Sequence, residues 1–252
     1  MKEWKKDFLT VRCFETREKM GDAAAADIEA AIWAVLSRKE NCNMIFAAAP
    51  SQNEVLAGLR EAKVDWSRIH AFHMDEYIGL PDGAHQSFAS FLKKALFDGL
   101  PFGSVEYING NASPEEEANR YGTLLRENPC DIVVMGIGEN GHLAFNDPGV
   151  ALFEDSRMVK VAELDGACRM QQVHDGCFEK LDLVPRQALT LTIPALISAE
   201  YAFCIVPAPT KAEAVKRTLE GAVCEACPAS ILRRHPQAVL YLDGDSASKL
   251  SE

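Results

Sequence analysis

The stretch Asp131-Ile132-Val133-Val134-Met135-Gly136 is a short apolar run that ends at a glycine. A run that is apolar on both faces and closed by turn residues is typical of a strand buried in a parallel sheet. Four further runs have the same character, namely residues 43–49, 69–74, 201–206 and 238–242. The sequence therefore predicts at least five buried strands.

Helical periodicity fills the segments between these runs. Apolar residues recur three to four positions apart at Ile28, Ile32, Val35 and Leu36, and again at Phe88, Phe91, Leu92, Ala95 and Leu96. Residues 113–116 (Ser-Pro-Glu-Glu) and 210–213 (Thr-Lys-Ala-Glu) match the capping box that begins a helix. This alternation predicts an α/β fold with a single doubly wound, mostly parallel sheet and helices on both faces, a three-layer, Rossmann-like architecture.

Composition limits the class of protein. The 252 residues are 48% hydrophobic and 25% charged, so we expect residues 1–252 to form one domain. A net charge of −11 without a cluster of lysine and arginine argues against a nucleic-acid partner.

The sequence has neither a signal-peptide core nor a run near the roughly 18 apolar residues of a membrane span, which predicts no membrane partner and a cytoplasmic location. The eight cysteines suit reduced core thiols, and the single C-x-x-C at Cys224 and Cys227 favours a structural role.

Two adjacent carboxylates, Asp75 and Glu76, follow the strand predicted at residues 69–74. Ligands of an open parallel sheet bind beyond the carboxyl ends of its strands. The position favours a functional role for this pair, with Glu76 as a candidate substrate contact. An ordinary loop is the alternative interpretation.

A glycine-rich segment with a histidine follows the strand predicted at residues 131–136. Its glycines, which permit positive φ and close approach to a ligand, are Gly136, Gly138 and Gly141, and Gly138 is a candidate ligand contact. His142 suits proton transfer near neutral pH, and Asn140 or Asp147 can orient its ring. A structural histidine is the alternative, and the G-x-G-x-x-G spacing is weak evidence for a dinucleotide site.

Candidate phosphate contacts follow two other strands. Lys211 lies where the helix after residues 201–206 is expected to begin, and a lysine with the free amides of a helix start can bind an anion. A solvated lysine is the alternative. Ser51, Gln52 and Asn53 follow residues 43–49, where they can contact the same anion or only cap a helix.

Together these segments resemble the glucosamine-6-phosphate deaminase family, within a wider group that includes 6-phosphogluconolactonases and sugar-phosphate isomerases. The resemblance spans nearly the whole chain and rests mainly on residues 74–80 (MDEYIGL) and 136–148 (GIGENGHLAFNDP), with support from Lys211-Ala212 and residues 232–236. Residues 144–148 (AFNDP) are similar to the deaminase pattern rather than to the Ser-Leu-Phe-Pro type stretch of lactonases.

The resemblance implies roles for four residues. It implies that Asp75 removes the C2 proton of the ring-opened amino sugar and returns a proton to C1, after which water releases ammonia. It also implies that His142 opens the pyranose ring, that Asn140 and Asp147 orient His142, and that no metal or organic cofactor is required.

The sequence departs from the family at these orienting positions. Many members have aspartate at position 140 and glutamate at position 147, where this chain has Asn140 and Asp147. Without a charge at position 140, His142 should hold an extra proton less firmly. An orienting group displaced by about 1 Å can cost on the order of a hundredfold in rate, so the shorter Asp147 works only if the backbone brings it closer.

The phosphate site departs further, because the family usually has Gly-Gly where this chain has Gln52-Asn53. Two side chains thus stand in this loop where the family has only the glycine backbone. The family's second phosphate ligand, an arginine, falls near His174 here, whereas Arg169 matches a neighbouring family arginine and is carried over together with Lys211 and Ser51.

The leading hypothesis is isomerisation with deamination of a hexosamine 6-phosphate, glucosamine 6-phosphate or its galactosamine epimer, to a ketohexose 6-phosphate and ammonia. The expected partner is this small molecule, and the sequence allows a homo-oligomer. Two alternatives stay open: a 6-phosphogluconolactonase-type hydrolase in which His142 activates water, and a non-catalytic sugar-phosphate sensor, which usually carries a DNA-binding segment that this sequence does not show.

Overall fold

Residues 1–251 are described by a computed structural model, and eight of their strands form one sheet in the order β1-β2-β11-β10-β7-β3-β4-β6. These strands are β1 (Lys2–Lys6), β2 (Leu9–Cys13), β3 (Cys42–Phe46), β4 (Ile69–His73), β6 (Ser104–Glu106), β7 (Ile132–Met135), β10 (Tyr201–Val206) and β11 (Ala238–Leu242). Every neighbouring pair is parallel except β1 and β2, which are antiparallel.

The five buried strands and the α/β class predicted from the sequence are confirmed. Strands β10 and β11 have the predicted bounds, whereas β3, β4 and β7 end one to three residues earlier than predicted. The residues released from the sheet at those ends, 47–49, 74 and 136, belong to the loops at its carboxyl edge.

A second, smaller sheet was not predicted, so the expectation of a single sheet was incomplete. It is antiparallel, has the order β5-β9-β8, and comprises β5 (Asp75–Tyr77), β8 (Val159–Glu163) and β9 (Gln187–Leu191). A strand of three residues, two of them charged, carries no period that sequence analysis can detect. Strand β5 forms because its backbone pairs with β9, a partner more than a hundred positions away.

Seven α-helices pack around the sheets: α1 (Arg17–Leu36), α2 (Asn53–Arg60), α3 (Phe88–Ala95), α4 (Pro114–Glu127), α5 (Gly166–His174), α6 (Ile193–Ile197) and α7 (Ala212–Glu220) in the described residues. Alternate residues of β3 point to opposite faces of the sheet. Met44 belongs to a buried cluster with Ile32 of α1, and Ile45 to another with Tyr121 of α4. The two clusters give the three-layer arrangement. None of the described helices is long and apolar enough to cross a membrane.

The two predicted helix starts have different outcomes. Helix α4 begins at Pro114 with Ser113 as its N-cap, as predicted, although the Ser113 hydroxyl caps no amide. The prediction at residues 210–213 was wrong in detail. Pro209–Lys211 forms a 3₁₀ turn, and α7 begins only at Ala212. Proline fixes φ at the first position here as Pro114 does in α4, so it marks where the helical backbone begins but does not decide whether the first turn is 3₁₀ or α.

Candidate active site

A cavity lies at the carboxyl ends of β3, β4, β7 and β10 and opens to solvent. It is lined by residues from the loops that follow those strands and from β5, α3 and α5: Ala47, Ala48, Ala49, Ser51, Gln52, Met74, Asp75, Phe88, Gly136, Ile137, Gly138, His142, Ala144, Phe145, Gln171, Gln172 and Lys211. Six of the residues predicted to form a site therefore meet in one cavity.

Asp75 is the first residue of β5, and its carboxylate faces this cavity. The residue is only 7% exposed, and no described residue donates a hydrogen bond to its side chain. Burial, and then the negative charge of the adjacent Glu76, raise the pKa of the Asp75 carboxyl well above its ordinary value. An unpartnered carboxylate with a raised pKa is a stronger base than an exposed one, which suits the abstraction of a carbon-bound proton.

Glu76 points to the opposite side of β5, because successive side chains of a strand alternate between its two faces. Its carboxylate accepts hydrogen bonds from the backbone N–H groups of Tyr77 (3.0 Å), Phe88 (3.1 Å) and Ala89 (2.9 Å). Glu76 thus caps the first turn of α3, and it does not line the cavity. Its position gives no basis for the substrate contact predicted from sequence.

The imidazole of His142 is held by two acceptors on the same nitrogen. Its Nδ1 lies 2.8 Å from Oδ1 of Asn140 and 3.0 Å from Oδ1 of Asp147. Because both partners accept, the proton resides on Nδ1. The other ring nitrogen, Nε2, has no hydrogen-bond partner among the described residues, and His142 lines the cavity. The ring can therefore exchange a proton with a bound ligand through Nε2.

Asn140 and Asp147 lie behind the ring, outside the cavity lining. The Asn140 amide donates to Oδ1 of Asp147 (2.9 Å), and its carbonyl oxygen accepts the backbone N–H of His142 (3.0 Å), which fixes the orientation of the amide. Burial disfavours the charge on Asp147, but its hydrogen bond and attraction to His142, aided by Asn140, keep the pKa of this carboxyl below its ordinary value. Asp147 therefore supplies the negative charge that Asn140 lacks.

A tight turn brings the short side chain of Asp147 to the ring. Leu143 and Asn146 form an isolated bridge, and Ala144 between them has a φ of 48°. The Asn146 amide fixes the turn by donating to the carbonyls of Leu143 (3.0 Å) and Leu191 (2.8 Å). The sequence left open whether an aspartate could reach His142, and the turn provides the required approach.

Gly138 packs directly against the face of the His142 ring. A Cβ at this position would lie 2.1–2.3 Å from three ring atoms, so only glycine fits. The backbone N–H of Gly138 also donates to the carbonyl of His142 (3.0 Å). The glycine predicted as a ligand contact lines the cavity and also fixes the position of the histidine.

Lys211 is the cation of the cavity, because no other lining residue is a lysine or arginine. Its side chain is buried, which argues against a solvated surface lysine, and its amine forms no hydrogen bond or ion pair with the described residues. Burial lowers the pKa of Lys211, while the charges of Asp175 and Glu139 oppose that shift. The turn that carries it begins after Ala208, whose φ of 83° is strained and whose N–H donates to the carboxylate of Asp243 (3.0 Å).

The loop after β3 contributes two of its three predicted residues. Ser51 and Gln52 line the cavity, whereas Asn53 is exposed, begins α2 and does not line it. The Gln52 side chain is fully buried, and its amide donates to the Ser51 hydroxyl (3.0 Å) and to the carbonyl of Ile205 (3.2 Å). Gln52 therefore turns beneath the loop and ties it to β10, and Asn53 has no contact with the cavity because it points to solvent.

Arg169 does not line the cavity either. Its guanidinium donates to the carbonyls of Leu181 (2.7 Å) and Val184 (2.8 Å), so it links α5 to the segment that follows. His174, where the family arginine falls, is exposed, and its Nδ1 lies 3.5 Å from the Glu139 carboxylate at the far end of α5. The predicted phosphate contact at Arg169 is not supported by its position, because the residue does not line the cavity and its Nε and Nη2 groups already donate to backbone carbonyls.

Sequence analysis missed Gln171 and Gln172, which α5 brings to the cavity. The Gln171 side chain accepts the backbone N–H of Glu139 (2.9 Å), so it joins α5 to the glycine-rich segment. An Asp165 N-cap signals the start of α5. No local pattern shows which of its residues face a cavity formed by distant loops.

One group of three residues in the site has donor atoms close enough to hold a metal ion. His142, Asp147 and Cys168 offer donor atoms within 4.8 Å of one another and are the residues that could hold a metal ion, although Nδ1 of His142 is already engaged by Asn140 and Asp147. Cys224 and Cys227 are free thiols. Cys227 packs beneath Gly141, whose Cβ would lie 3.0 Å from its sulfur, which supports the structural interpretation of the C-x-x-C.

The fold and the cavity at its carboxyl edge define the class of protein, and residues 15–241 match the family described as glucosamine-6-phosphate isomerases/6-phosphogluconolactonase. The chain belongs to this family. It is 36% identical over 245 residues to the glucosamine-6-phosphate deaminase of Bacillus cytotoxicus, covering 97% of this chain and 90% of the relative, and equally identical to that of Bacillus thuringiensis.

Solved structures agree with this membership. A monomeric glucosamine-6-phosphate deaminase superposes with a TM-score of 0.86 at 28% identity, covering 94% of this chain and 98% of the other. The 6-phosphogluconolactonase of Thermotoga maritima superposes with a TM-score of 0.77 at 21% identity over 93% of this chain and 99% of the other, a likeness of fold alone.

Proposed function

We propose that the protein is an enzyme that isomerises and deaminates a hexosamine 6-phosphate, giving a ketohexose 6-phosphate and ammonia. The observation that carries the proposal is the unpartnered Asp75 carboxylate in the same cavity as Nε2 of His142 and the Lys211 amine. The 36% identity to deaminases over 97% of the chain supports the same reaction. The substrate is a small amino sugar phosphate, and the proposed location is cytoplasmic.

In this proposal Asp75 is the base of the isomerisation. It takes the C2 proton of the ring-opened amino aldose, the C1=C2 bond forms as the carbonyl π electrons move to O1, and O1 takes up the proton that the substrate ammonium releases. The same carboxyl then returns its proton to C1 as the nitrogen lone pair forms the C2=N bond. The product is a ketose imine, which water hydrolyses to the ketose and ammonia. The high pKa of Asp75 supports both steps, because the carboxyl must first accept and then donate a proton.

His142 is the group proposed to open the ring. A neutral imidazole with its proton on Nδ1 can accept the anomeric hydroxyl proton at Nε2 and pass a proton to the ring oxygen. The ionised Asp147, 3.0 Å from Nδ1, stabilises the imidazolium formed in between. Asn140 and Asp147 are thus positioning residues that act through His142.

We propose that Lys211 and Ser51 bind the phosphate group. The Lys211 amine is buried without a protein partner, and an ionised lysine in that state gains strongly from a bound anion. The Ser51 hydroxyl lies in the 3₁₀ turn Pro50–Gln52 that ends against α2. Gly138 is proposed to contact the sugar through its backbone.

Ammonia release from glucosamine 6-phosphate and galactosamine 6-phosphate, measured for the wild type and for Asp75→Asn, tests the proposal. The wild type should release ammonia from at least one epimer, and the variant should lose at least about 10³-fold in kcat because general-base catalysis is removed. Full activity of Asp75→Asn would rule out the proposed base. Hydrolysis of 6-phosphogluconolactone without ammonia from either amino sugar would favour the lactonase alternative.

A further inference from the structure

Helix α5 presents two consecutive glutamines to the cavity, and they differ in how their side chains are bonded. Gln171 is used by the protein at both ends, since Oε1 accepts the N–H of Glu139 (2.9 Å) and Nε2 donates to the Asp175 carboxylate (3.2 Å). The Gln172 side chain forms no hydrogen bond with any residue in 1–251, although the residue is only 7% exposed.

The backbone around Gln172 is nevertheless well fixed. Its carbonyl accepts the N–H groups of Cys177 (3.0 Å) and Phe178 (3.3 Å), and Asp165 caps the start of the helix through the N–H of Cys168 (2.6 Å). Arg169 ties the same helix to the segment after it. Gln172 is therefore held toward the cavity by its helix, while its carboxamide remains available.

The Gln172 carboxamide differs from the other glutamines of the cavity wall in having no partner among the described residues. Its amide atoms keep contact with the open cavity, so a bound molecule can reach both its donor and its acceptor. Gln52, another buried glutamine of the cavity wall, donates its amide to Ser51 and Ile205, and Gln171 is bonded at both ends. Gln172 has no comparable use within the protein, so its carboxamide is best explained by an interaction with a bound molecule.

The chemistry of the amide limits what it can bind. Lys211 matches an anion, while Asp75 and His142 exchange protons, so these groups address the two ends of a sugar phosphate. A carboxamide is neutral and offers both a donor and an acceptor, as does a hydroxyl group. It therefore complements the hydroxyl-bearing carbons that lie between the phosphate and the reacting carbons.

We propose that the Gln172 carboxamide binds a hydroxyl group on the carbon chain of the sugar phosphate and makes the enzyme selective for substrates that carry it. The inference rests on the proposed deaminase function. Gln172 acts as a specificity residue with no part in proton transfer. Its loss should weaken recognition of the sugar and leave the phosphate contact unchanged.

The test compares the wild type with Gln172→Met, which keeps the length of the side chain but removes the amide. Met170→Leu, at an exposed position on the same helix, is the matched control. Ammonia release from glucosamine 6-phosphate and from its 3-deoxy and 4-deoxy analogues is measured, together with competitive inhibition by inorganic phosphate. We expect Gln172→Met to lower kcat/KM about 10- to 100-fold, as for loss of a hydrogen bond to a buried group. The control and phosphate inhibition should change less than about twofold.

For the wild type, one of the two deoxy analogues should lower kcat/KM by a factor similar to that of the Gln172→Met substitution. For Gln172→Met the same analogue should cause no further loss, since the hydrogen bond between the amide and that hydroxyl is already absent. Unchanged kcat/KM in Gln172→Met would overturn the proposal. Weaker inhibition by inorganic phosphate in Gln172→Met would also overturn it, because the amide would then bind the phosphate group. Further losses of kcat/KM in Gln172→Met with both deoxy analogues would overturn it as well. A wild type that releases no ammonia would contradict the deaminase function instead, and calorimetric binding of glucosamine 6-phosphate to both proteins would then test Gln172 directly.

Discussion

At the scale of single residues, the two proton-transfer candidates are held in opposite ways. His142 is fixed by two acceptors on Nδ1, so its tautomer and orientation are determined before any ligand binds. Asp75 has no hydrogen-bond donor among the described residues, and its burial, followed by the nearby charge of Glu76, raises its pKa and makes its ionised form costly. The protein thus gives up stability at Asp75 to keep a reactive base.

Asp75→Asn should inactivate the enzyme and stabilise the fold. The pKa of the Asp75 carboxyl is higher in the folded state than in the unfolded state. Its contribution to the free energy of unfolding is therefore fully present below the unfolded-state pKa, and it is lost as the pH rises through the folded-state pKa. Once the pH exceeds the folded pKa, the wild type carries a buried charge that the amide of the variant lacks, so Tm of the variant should be higher by about 2–4 °C for each kcal/mol regained. Calorimetric unfolding of both proteins from pH 4 to pH 9 measures the effect.

The pH profile of kcat/KM supplies the control for this prediction. Activity should fall on the acid side as Asp75 becomes protonated, at a pH well above the ordinary carboxyl range, because the base must be ionised. If Asp75→Asn were less stable than the wild type at every pH, the buried charge of Asp75 would not be destabilising the folded protein.

Gly138→Ala should abolish activity while leaving most of the fold intact. The added methyl group would lie 2.1–2.3 Å from ring atoms of His142, so the ring must leave its position between Asn140 and Gly138. A displacement of about 1 Å in a catalytic group can cost on the order of a hundredfold, and we expect at least that loss in kcat. Steady-state assays measure the loss, and circular dichroism checks the fold.

Gly244→Ala is the matched control, because a methyl group there meets no atom within 4 Å. It should keep wild-type activity. Wild-type kcat in Gly138→Ala would show that His142 does not need the observed ring position.

At the scale of the elements, adjacent residues of β5 serve different purposes. Asp75 faces the cavity, and Glu76, on the other face, accepts three backbone N–H groups and fixes the start of α3. Phe88, at that helix start, also lines the cavity. The cap therefore joins the short strand that carries the base to the helix that forms part of the cavity wall.

Glu76→Gln should destabilise the protein by about 1–3 kcal/mol, because the amide loses the charge and one acceptor oxygen that cap α3. Its effect on kcat should be small compared with that of Asp75→Asn. Urea unfolding and ammonia release give the two values.

Glu116→Gln, an exposed position in the first turn of α4, serves as the reference and should change stability by less than about 0.5 kcal/mol. A loss of activity in Glu76→Gln equal to that in Asp75→Asn, with unchanged stability, would return Glu76 to the substrate-binding role predicted from sequence.

At the scale of the whole molecule, the main sheet and the small antiparallel sheet share residues around one cavity. Leu191 of β9 donates its N–H to the carbonyl of Met74 (2.8 Å), directly before Asp75, and Asn146 donates to the carbonyl of Leu191. We therefore propose that the described residues, 1–251, form a single domain. A solved relative is a monomeric deaminase, and mass measurement in solution will give the oligomeric state of this chain.

A single domain should unfold in one cooperative transition, with tryptophan fluorescence and far-ultraviolet circular dichroism giving the same midpoint. Inorganic phosphate should raise the midpoint through Lys211 and should not do so in Lys211→Met, because only the folded cavity binds the anion. Two separated transitions would contradict the single-domain proposal.

The sequence by itself determined the α/β class, the five buried strands and the positions of Asp75, His142 and Lys211 at strand ends, because these follow from local apolar patterns and strand-end residues. Only the tertiary structure decided which side chains reach the cavity. Asp75 and Glu76 are indistinguishable by local pattern, and pairing of β5 with β9 turns one inward and the other to a helix start. Gln171 and Gln172 face the cavity, and Asn53 and Arg169 do not, because each position depends on contacts between segments far apart in the chain, which local sequence does not encode.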